Sequence, residues 1–120
     1  MNLMPGTRVH LALDHVDFRK GMDGLALVAQ ETLREDPFCG HLFVFRSRNA
    51  KRIKILYYDG TGLCLFIKRL EEGHFVWPRL RSVSDGTARK AVHLTQAQLA
   101  MLLEGLDWRN PVQTRPLRAG

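Results

Sequence analysis

The stretch from residue 41 to residue 78 constrains the fold most, because short apolar runs alternate in it with turn residues. Three runs rich in Val, Ile, Leu, Phe and Tyr, and a short fourth run at 74–77, are separated by Ser-Arg-Asn, Asp-Gly and Glu-Gly sequences. Apolar runs of this kind between such turns are typical of β-strands joined by hairpins. Connections this short favour antiparallel neighbours, so the stretch predicts a meander of strands.

One further strand and two helices flank this stretch. Residues 7–13 alternate apolar and polar side chains, as a half-buried strand does. Residues 25–35 place their apolar side chains at helical spacing, and Pro37 ends that helix. The last helix has the strongest local signal, because Thr95 and Gln98 form a capping-box sequence ahead of a stripe of leucines.

The sequence therefore predicts an α+β fold. We expect a single domain over residues 1–108, with an antiparallel meander sheet of about four to five strands and two helices packed mainly on one face. Both faces of the sheet are apolar, so the second face is expected to be covered by a partner subunit or by curling of the sheet. Residues 109–120 read as a basic C-terminal tail that is flexible.

Composition narrows the class of protein. The formal net charge of +6 suits a polyanionic partner if the cations cluster. Cys39 and Cys64 lack paired C-x-x-C spacing, which favours a reduced, cytoplasmic protein. The N-terminus lacks the pattern of a secretory signal, and no apolar run approaches the ~20 residues of a membrane span. We expect no membrane partner.

Basic residues crowd the hairpin between the first two strands of the 41–78 stretch. If the fold gathers them into one positive ridge, they can contact DNA phosphates, and an aromatic side chain among them can stack on a base. The predicted DNA-binding residues are Arg46, Arg48, Lys51, Arg52, Lys54, Lys68, Arg69, Arg19, Lys20 and Tyr58. The alternative is a solvated hairpin whose cations protect a sheet edge against aggregation.

A catalytic site is the weaker hypothesis. Asp14, Asp17 and Asp23 lie close in sequence, and with Asp59 they would have to converge to hold the metal ions of a nuclease. The histidines show no metal-ligand spacing beyond a Cys-x-His pair at residues 39–41. We therefore predict no catalytic residues, no metal site and no cofactor.

Three long strings give the chain a family resemblance. VDFRKGMDGL at 16–25, the whole of 36–78 and HLTQAQLAMLLEGLDW at 93–108 closely resemble the small TnpB or Orf2-like accessory protein of bacterial insertion sequence 66 elements. That family is distinct from the RNA-guided nucleases of the same gene name. The resemblance implies participation in transposition beside a larger transposase, which bears the catalytic acidic residues, and a further small protein. It supplies no catalytic residues to carry over.

These observations combine into one functional hypothesis. We expect a non-catalytic accessory factor in DNA transposition that binds DNA through the basic hairpin and assists a separate transposase. The expected partners are DNA (element ends or non-specific duplex), the transposase of the element and a second copy of the chain. One alternative is a protein–protein adaptor that docks the transposase without touching DNA. A metal-dependent nuclease is the third hypothesis.

Overall fold

Five strands and two helices form from these patterns. The computed structural model describes residues 3–79 and 89–109, which contain β1 Val9–Ala12, α1 Met22–Glu31, β2 Leu42–Arg46, β3 Arg52–Tyr58, β4 Leu63–Arg69, β5 Ala91–Leu94 and α2 Gln96–Leu103. The strands make one sheet in the order β4-β3-β2-β1-β5, and most neighbours are antiparallel. The predicted α+β fold class is confirmed.

The predicted hairpins of the 41–78 stretch are present. β2 and β3 are antiparallel and are joined by residues 47–51, where Ala50 adopts a left-handed backbone conformation with φ of 58°. β3 and β4 are antiparallel along their full length, from the Arg52–Arg69 pair to the Tyr58–Leu63 pair. Lys68 and Arg69 therefore form the end of β4.

The prediction of antiparallel neighbours throughout is wrong at one place. β1 and β2 are parallel, with Val9 opposite Leu42 and Leu11 opposite Val44. A parallel pair needs a crossover of a dozen or more residues, and residues 13–41, which include α1, provide it. The length of this connection was the signal that pattern-based reasoning overlooked.

Two short segments also differ from the sequence prediction. Ala91–Leu94 is an edge strand antiparallel to β1, and no strand was predicted there from the sequence. The apolar run at 74–77 is not a strand. It has no regular secondary structure and is anchored at two residues. The N–H of the buried Phe75 donates to the carbonyl of Ala50 at 2.7 Å, and the indole N–H of Trp77 donates to the carbonyl of Ala12 at 2.7 Å.

Each face of the sheet is covered by its own helix, so the prediction that both helices pack mainly on one face is wrong. Leu25 and Ala29 of α1 pack on one face, against a cluster that includes Phe43 and Leu56. The leucines of α2 pack on the other face with Phe75, Trp108 and alternate residues of the central strands. The chain itself therefore supplies the cover that the apolar pattern on both faces requires.

The start of α2 follows its sequence signature. Thr95 Oγ1 accepts from the N–H of Gln98 at 3.0 Å, and the Gln98 side chain accepts from the N–H of Thr95 at 2.8 Å. Gly105 ends the last turn with φ of 77°, and the N–H of Leu106 donates to the carbonyl of Met101. Both ends of this helix were thus specified locally.

The capping box gives a stability prediction. Thr95→Ala should lower the free energy of unfolding by about 1 kcal/mol, because the Gln98 N–H loses its acceptor. Thr95→Ser, which keeps the hydroxyl, should recover most of that loss. Urea unfolding followed by circular dichroism measures both variants. Equal losses for alanine and serine would contradict the role given to the hydroxyl.

The ends of the described chain bear on two other expectations. Arg109, the first residue of the predicted tail, is ion-paired with Asp107 at 3.0 Å. The rest of that tail, residues 110–120, lies outside the described residues, as do residues 80–88. Neither described helix is long and apolar enough to cross a membrane.

Candidate nucleic-acid interface

The tip of the β2–β3 hairpin carries three exposed cations, Arg48, Lys51 and Arg52. Within residues 3–79 and 89–109 none of them forms a salt bridge with a carboxylate. The tip has a fixed shape, because the side chains of Ser47 and Asn49 bond within it. Ser47 Oγ accepts from the N–H of Arg52 at 3.1 Å, and Asn49 Oδ1 accepts from the N–H of Lys51 at 3.0 Å.

A fourth cation, Arg69, lies next to the hairpin tip on the neighbouring strand. Arg69 of β4 lies directly opposite Arg52 of β3. Like charges in this cross-strand position are destabilising, and an anion between them would relieve the repulsion. The guanidinium of Arg52 also lies over the ring of Phe18, 5.2 Å from its centroid. Arg69 is exposed and pairs with the exposed Glu71 at 3.1 Å. We call Arg48, Lys51, Arg52 and Arg69 the tip cations.

Lys54 has a different role from the one that its sequence position suggests. It shares a face with Arg52 and Tyr58, as predicted, but its side chain is buried. The ammonium donates to the carbonyls of Phe18 at 2.9 Å and Lys20 at 2.8 Å. Lys54 therefore anchors the loop after β1 on the sheet and does not present its charge to solvent.

Arg46 and Lys68 are also bound to the protein itself. The Arg46 guanidinium lies 5.9 Å from the Trp77 ring and donates to the carbonyl of Arg48 at 3.0 Å. Its Nε is buried without a hydrogen-bond partner, and burial lowers its pKa. Lys68 Nζ donates to the carbonyl of Leu103 at 2.7 Å, where α2 ends. A cation there complements the negative end of the helix dipole.

The remaining predicted residues lie in other environments. Arg19 pairs with Asp17 at 2.6 Å, and this contact lowers the pKa of Asp17 below its ordinary value. Lys20 is exposed in the same loop. Tyr58 lies at the end of β3 away from the tip, and its hydroxyl donates to the carbonyl of Gly60 at 2.9 Å. The structure thus brings together the tip cations and disperses the other predicted residues.

The aspartates considered for a nuclease do not converge in the described part of the chain. Asp17 is engaged by Arg19, and Asp59 accepts from the N–H groups of Thr61 and Gly62 at 2.9 Å each. These backbone donors hold the pKa of Asp59 at about 2. Asp59 therefore acts as a turn former between β3 and β4.

A histidine cluster is the feature that sequence reasoning missed. His10 Nε2 lies 3.0 Å from His41 Nδ1, and the His10 ring stacks on Phe43 with centroids 4.8 Å apart. His93 lies opposite His10 across the β1–β5 pair, with ring centroids 4.7 Å apart. Burial is the largest cause that lowers the pKa of His10 to about 4, and it outweighs the opposing effect of the Glu35 carboxylate. The pairing of β1 with both β2 and β5 was the missing information.

Comparison with known proteins agrees with the strings noted in the sequence. A family model described as IS66 Orf2 like protein matches residues 7–113. The uncharacterized protein y4hO of Sinorhizobium fredii (strain NBRC 101917 / NGR234) is 46% identical over 114 residues, spanning 94% of this chain and 93% of that protein. The uncharacterized protein y4jC of the same strain is 39% identical over 113 residues, spanning 94% and 90%. No solved structure matches. The chain belongs to the family of IS66 Orf2-like proteins.

Proposed function

We propose that this protein is a non-catalytic accessory factor in the transposition of a bacterial insertion sequence, and that it contacts the DNA backbone through the tip cations. Family membership supports the accessory role in transposition. The DNA contact is inferred from the hairpin. The observation that carries it is the group of exposed cations at one tip, which have few carboxylate partners in the described chain.

The chemistry of the tip suits a phosphate backbone. Arg48 and Arg52 line an open pocket of about 380 Å³ between the hairpin and the loop that contains His15 and Phe18. The Arg52 guanidinium lies over the Phe18 ring and donates no side-chain hydrogen bond within the described residues, so its N–H groups are available to a phosphate. Such donors bind phosphate oxygens, and each neutralised phosphate releases condensed counterions.

Cations of this group are also supported on a rigid base. Ile53 and Ile55 alternate with Arg52 and Lys54 along β3 and are fully buried in the core. Because Lys54 anchors the neighbouring loop, Phe18 is held beside the tip as well. A surface built on packed strands keeps its cations in register, which reduces the conformational entropy lost when it binds a regular polyanion.

Fluorescence anisotropy with a labelled duplex from the element end tests this proposal. Arg48→Glu combined with Arg52→Glu should weaken binding at least tenfold, which corresponds to about 1.4 kcal/mol. The matched control is Arg8→Glu with Arg34→Glu, which changes the net charge equally at exposed positions elsewhere. The control should change affinity less than about threefold. Equal weakening by both pairs, or no binding by the unaltered protein at low salt, would defeat the proposal.

One observation favours a second function, docking of the transposase. β4 is an edge of the sheet, and among the described strands it pairs with β3 alone. Its residues 63–66 are half-exposed, and the side chain of Ile67 is 56% exposed. A partner strand can add to such an edge. Co-purification with the transposase that survives nuclease treatment and is lost on Ile67→Lys would support this function, whereas retention by that variant would contradict it.

A further inference from the structure

Three side chains from distant parts of the chain come together beside the sheet. His10, Glu35 and His41 each offer one ligand atom, and these atoms all lie within 4.8 Å of one another. In the described part of the chain this is the group of His, Cys, Asp and Glu residues whose geometry could hold a metal ion. It is separate from the tip cations, because His41 precedes the start of β2 whereas the tip follows its end.

The fold places each of the three residues by a different device. His10 lies in the middle of β1, and stacking on Phe43 fixes its ring. His41 lies two residues before Phe43, the partner of His10 in the parallel β1–β2 pair, so its side chain falls on the same face as His10. Glu35 follows Arg34, whose left-handed φ of 60° reverses the chain after α1, and the N–H of Glu35 donates to the carbonyl of Ala29 at 2.9 Å. This reversal brings the Glu35 carboxylate back to the sheet beside the two histidines.

We propose that His10, Glu35 and His41 form a binding site for a divalent transition metal of the Zn²⁺ type. Two imidazole nitrogens and one carboxylate oxygen are a donor set that zinc accepts with a fourth position open. Two nitrogens bound to tetrahedral zinc lie roughly 3.3 Å apart, given bonds of ~2.05 Å. The His10–His41 nitrogen separation is 3.0 Å. The two imidazole nitrogens therefore need to move apart by only a few tenths of an ångström, whereas the Glu35 carboxylate, whose ligand atom lies within 4.8 Å of theirs, has to move closer to complete the site.

The donor atoms decide which class of metal fits. His10, Glu35 and His93 line an open pocket of about 410 Å³ that also contains Arg34, Arg89 and Lys90, and these cations oppose any divalent ion equally. Mg²⁺ prefers oxygen ligands in octahedral geometry, which two imidazoles and one carboxylate do not offer. Imidazole donors favour Zn²⁺, Ni²⁺ and Cu²⁺ instead. The fourth ligand can be a water from the open pocket or the neighbouring ring of His93.

Titration of the full chain with ZnCl₂ after treatment with EDTA tests the site, with a chromophoric chelator as competitor. We expect one Zn²⁺ per chain, bound with micromolar or tighter affinity. Glu35→Gln and His41→Gln should each weaken binding at least tenfold, and Mg²⁺ should not compete. His15→Gln and His74→Gln, which alter exposed histidines outside the group, are the matched controls and should leave affinity unchanged.

These variants leave the buried His10 unchanged. A circular dichroism spectrum of each metal-free variant is the control for its folding. Nitrogen chemical shifts of the imidazole rings supply a second readout, because those of His10 and His41 should move with Zn²⁺ and those of His15 should not. Absence of binding at Zn²⁺ concentrations up to about 100 μM would overturn the proposal, because a dissociation constant above that value is too weak for a specific site. Binding that persists unchanged in Glu35→Gln and His41→Gln would overturn it as well, and would leave the His10–His41 contact as a hydrogen bond alone.

Discussion

Lys54→Met should lower the free energy of unfolding by about 2–3 kcal/mol, even though methionine keeps most of the apolar length of the side chain. The buried ammonium donates to the carbonyls of Phe18 and Lys20. It also lies 4.8 Å from the centroid of the Phe18 ring. Its removal deletes two charge-assisted hydrogen bonds that fasten the loop after β1 to the sheet. Urea unfolding gives the change in free energy, and proteolysis of the loop reports its release.

The matched control for Lys54 is three positions away. Lys51 is exposed at the hairpin tip, so Lys51→Met should change the free energy of unfolding by less than about 0.5 kcal/mol. For DNA affinity the expectation is reversed. Lys51→Met should weaken binding, because Lys51 is one of the tip cations, and Lys54→Met should weaken it less. Similar small stability changes for both variants would contradict the structural role assigned to Lys54.

Acidification should destabilise the protein through His10. Its pKa is lowered from 6.5 to about 4 in the fold, so the unfolded chain binds the proton more readily between these values. The stability from the neutral, buried ring is fully present above pH 6.5 and is lost as the pH falls toward 4. The loss amounts to at most about 3 kcal/mol, at ~1.36 kcal/mol for each pKa unit.

Comparison with His10→Gln isolates this contribution from other acid-sensitive groups. Glutamine keeps a polar side chain beside His41 but does not titrate, so its free energy of unfolding should fall less between pH 7 and pH 4. Measurements in EDTA keep any bound metal out of the comparison. Of the charged and titratable groups around the same ring, Glu35 raises the pKa of His10, whereas His93, His41 and Arg8 lower it further. Parallel stability curves for the two proteins would contradict the burial argument.

Features that depend on neighbouring residues were predictable from the sequence. The limits of β2 and β3 and the hairpin between them follow from turn residues flanked by apolar runs. The capping box of α2 follows from Thr95 and Gln98, which lie three residues apart. In both cases the interacting groups are close along the chain, so their geometry hardly depends on the rest of the fold.

Features that depend on strand order were not predictable in this way. The alternation of apolar and polar side chains along a strand is the same for parallel and antiparallel partners. It therefore could not show that β1 pairs with β2 or that β5 pairs with β1. Without those pairs, nothing in the sequence relates His10, His41 and His93 to one another. Their meeting is a product of strand register.

The cations illustrate the same limit at the level of single side chains. Lys54 and Arg52 look equivalent in an alternating strand, yet one is buried and the other exposed. The difference arises because the loop after β1 covers the centre of β3 and leaves its start open. A lysine flanked by buried isoleucines in a central strand is the sequence signal that could have identified the anchoring role.

The salt dependence of DNA binding tests the central claim most directly. The logarithm of the binding constant should fall linearly with the logarithm of salt concentration, with a slope of roughly −0.9 for each phosphate neutralised. The Arg48→Glu and Arg52→Glu double variant should lose about two phosphate contacts, so its slope should be shallower by ~1.8. The Arg8→Glu and Arg34→Glu control should retain the original slope. Identical slopes for all three proteins would contradict contact between the tip cations and the DNA backbone.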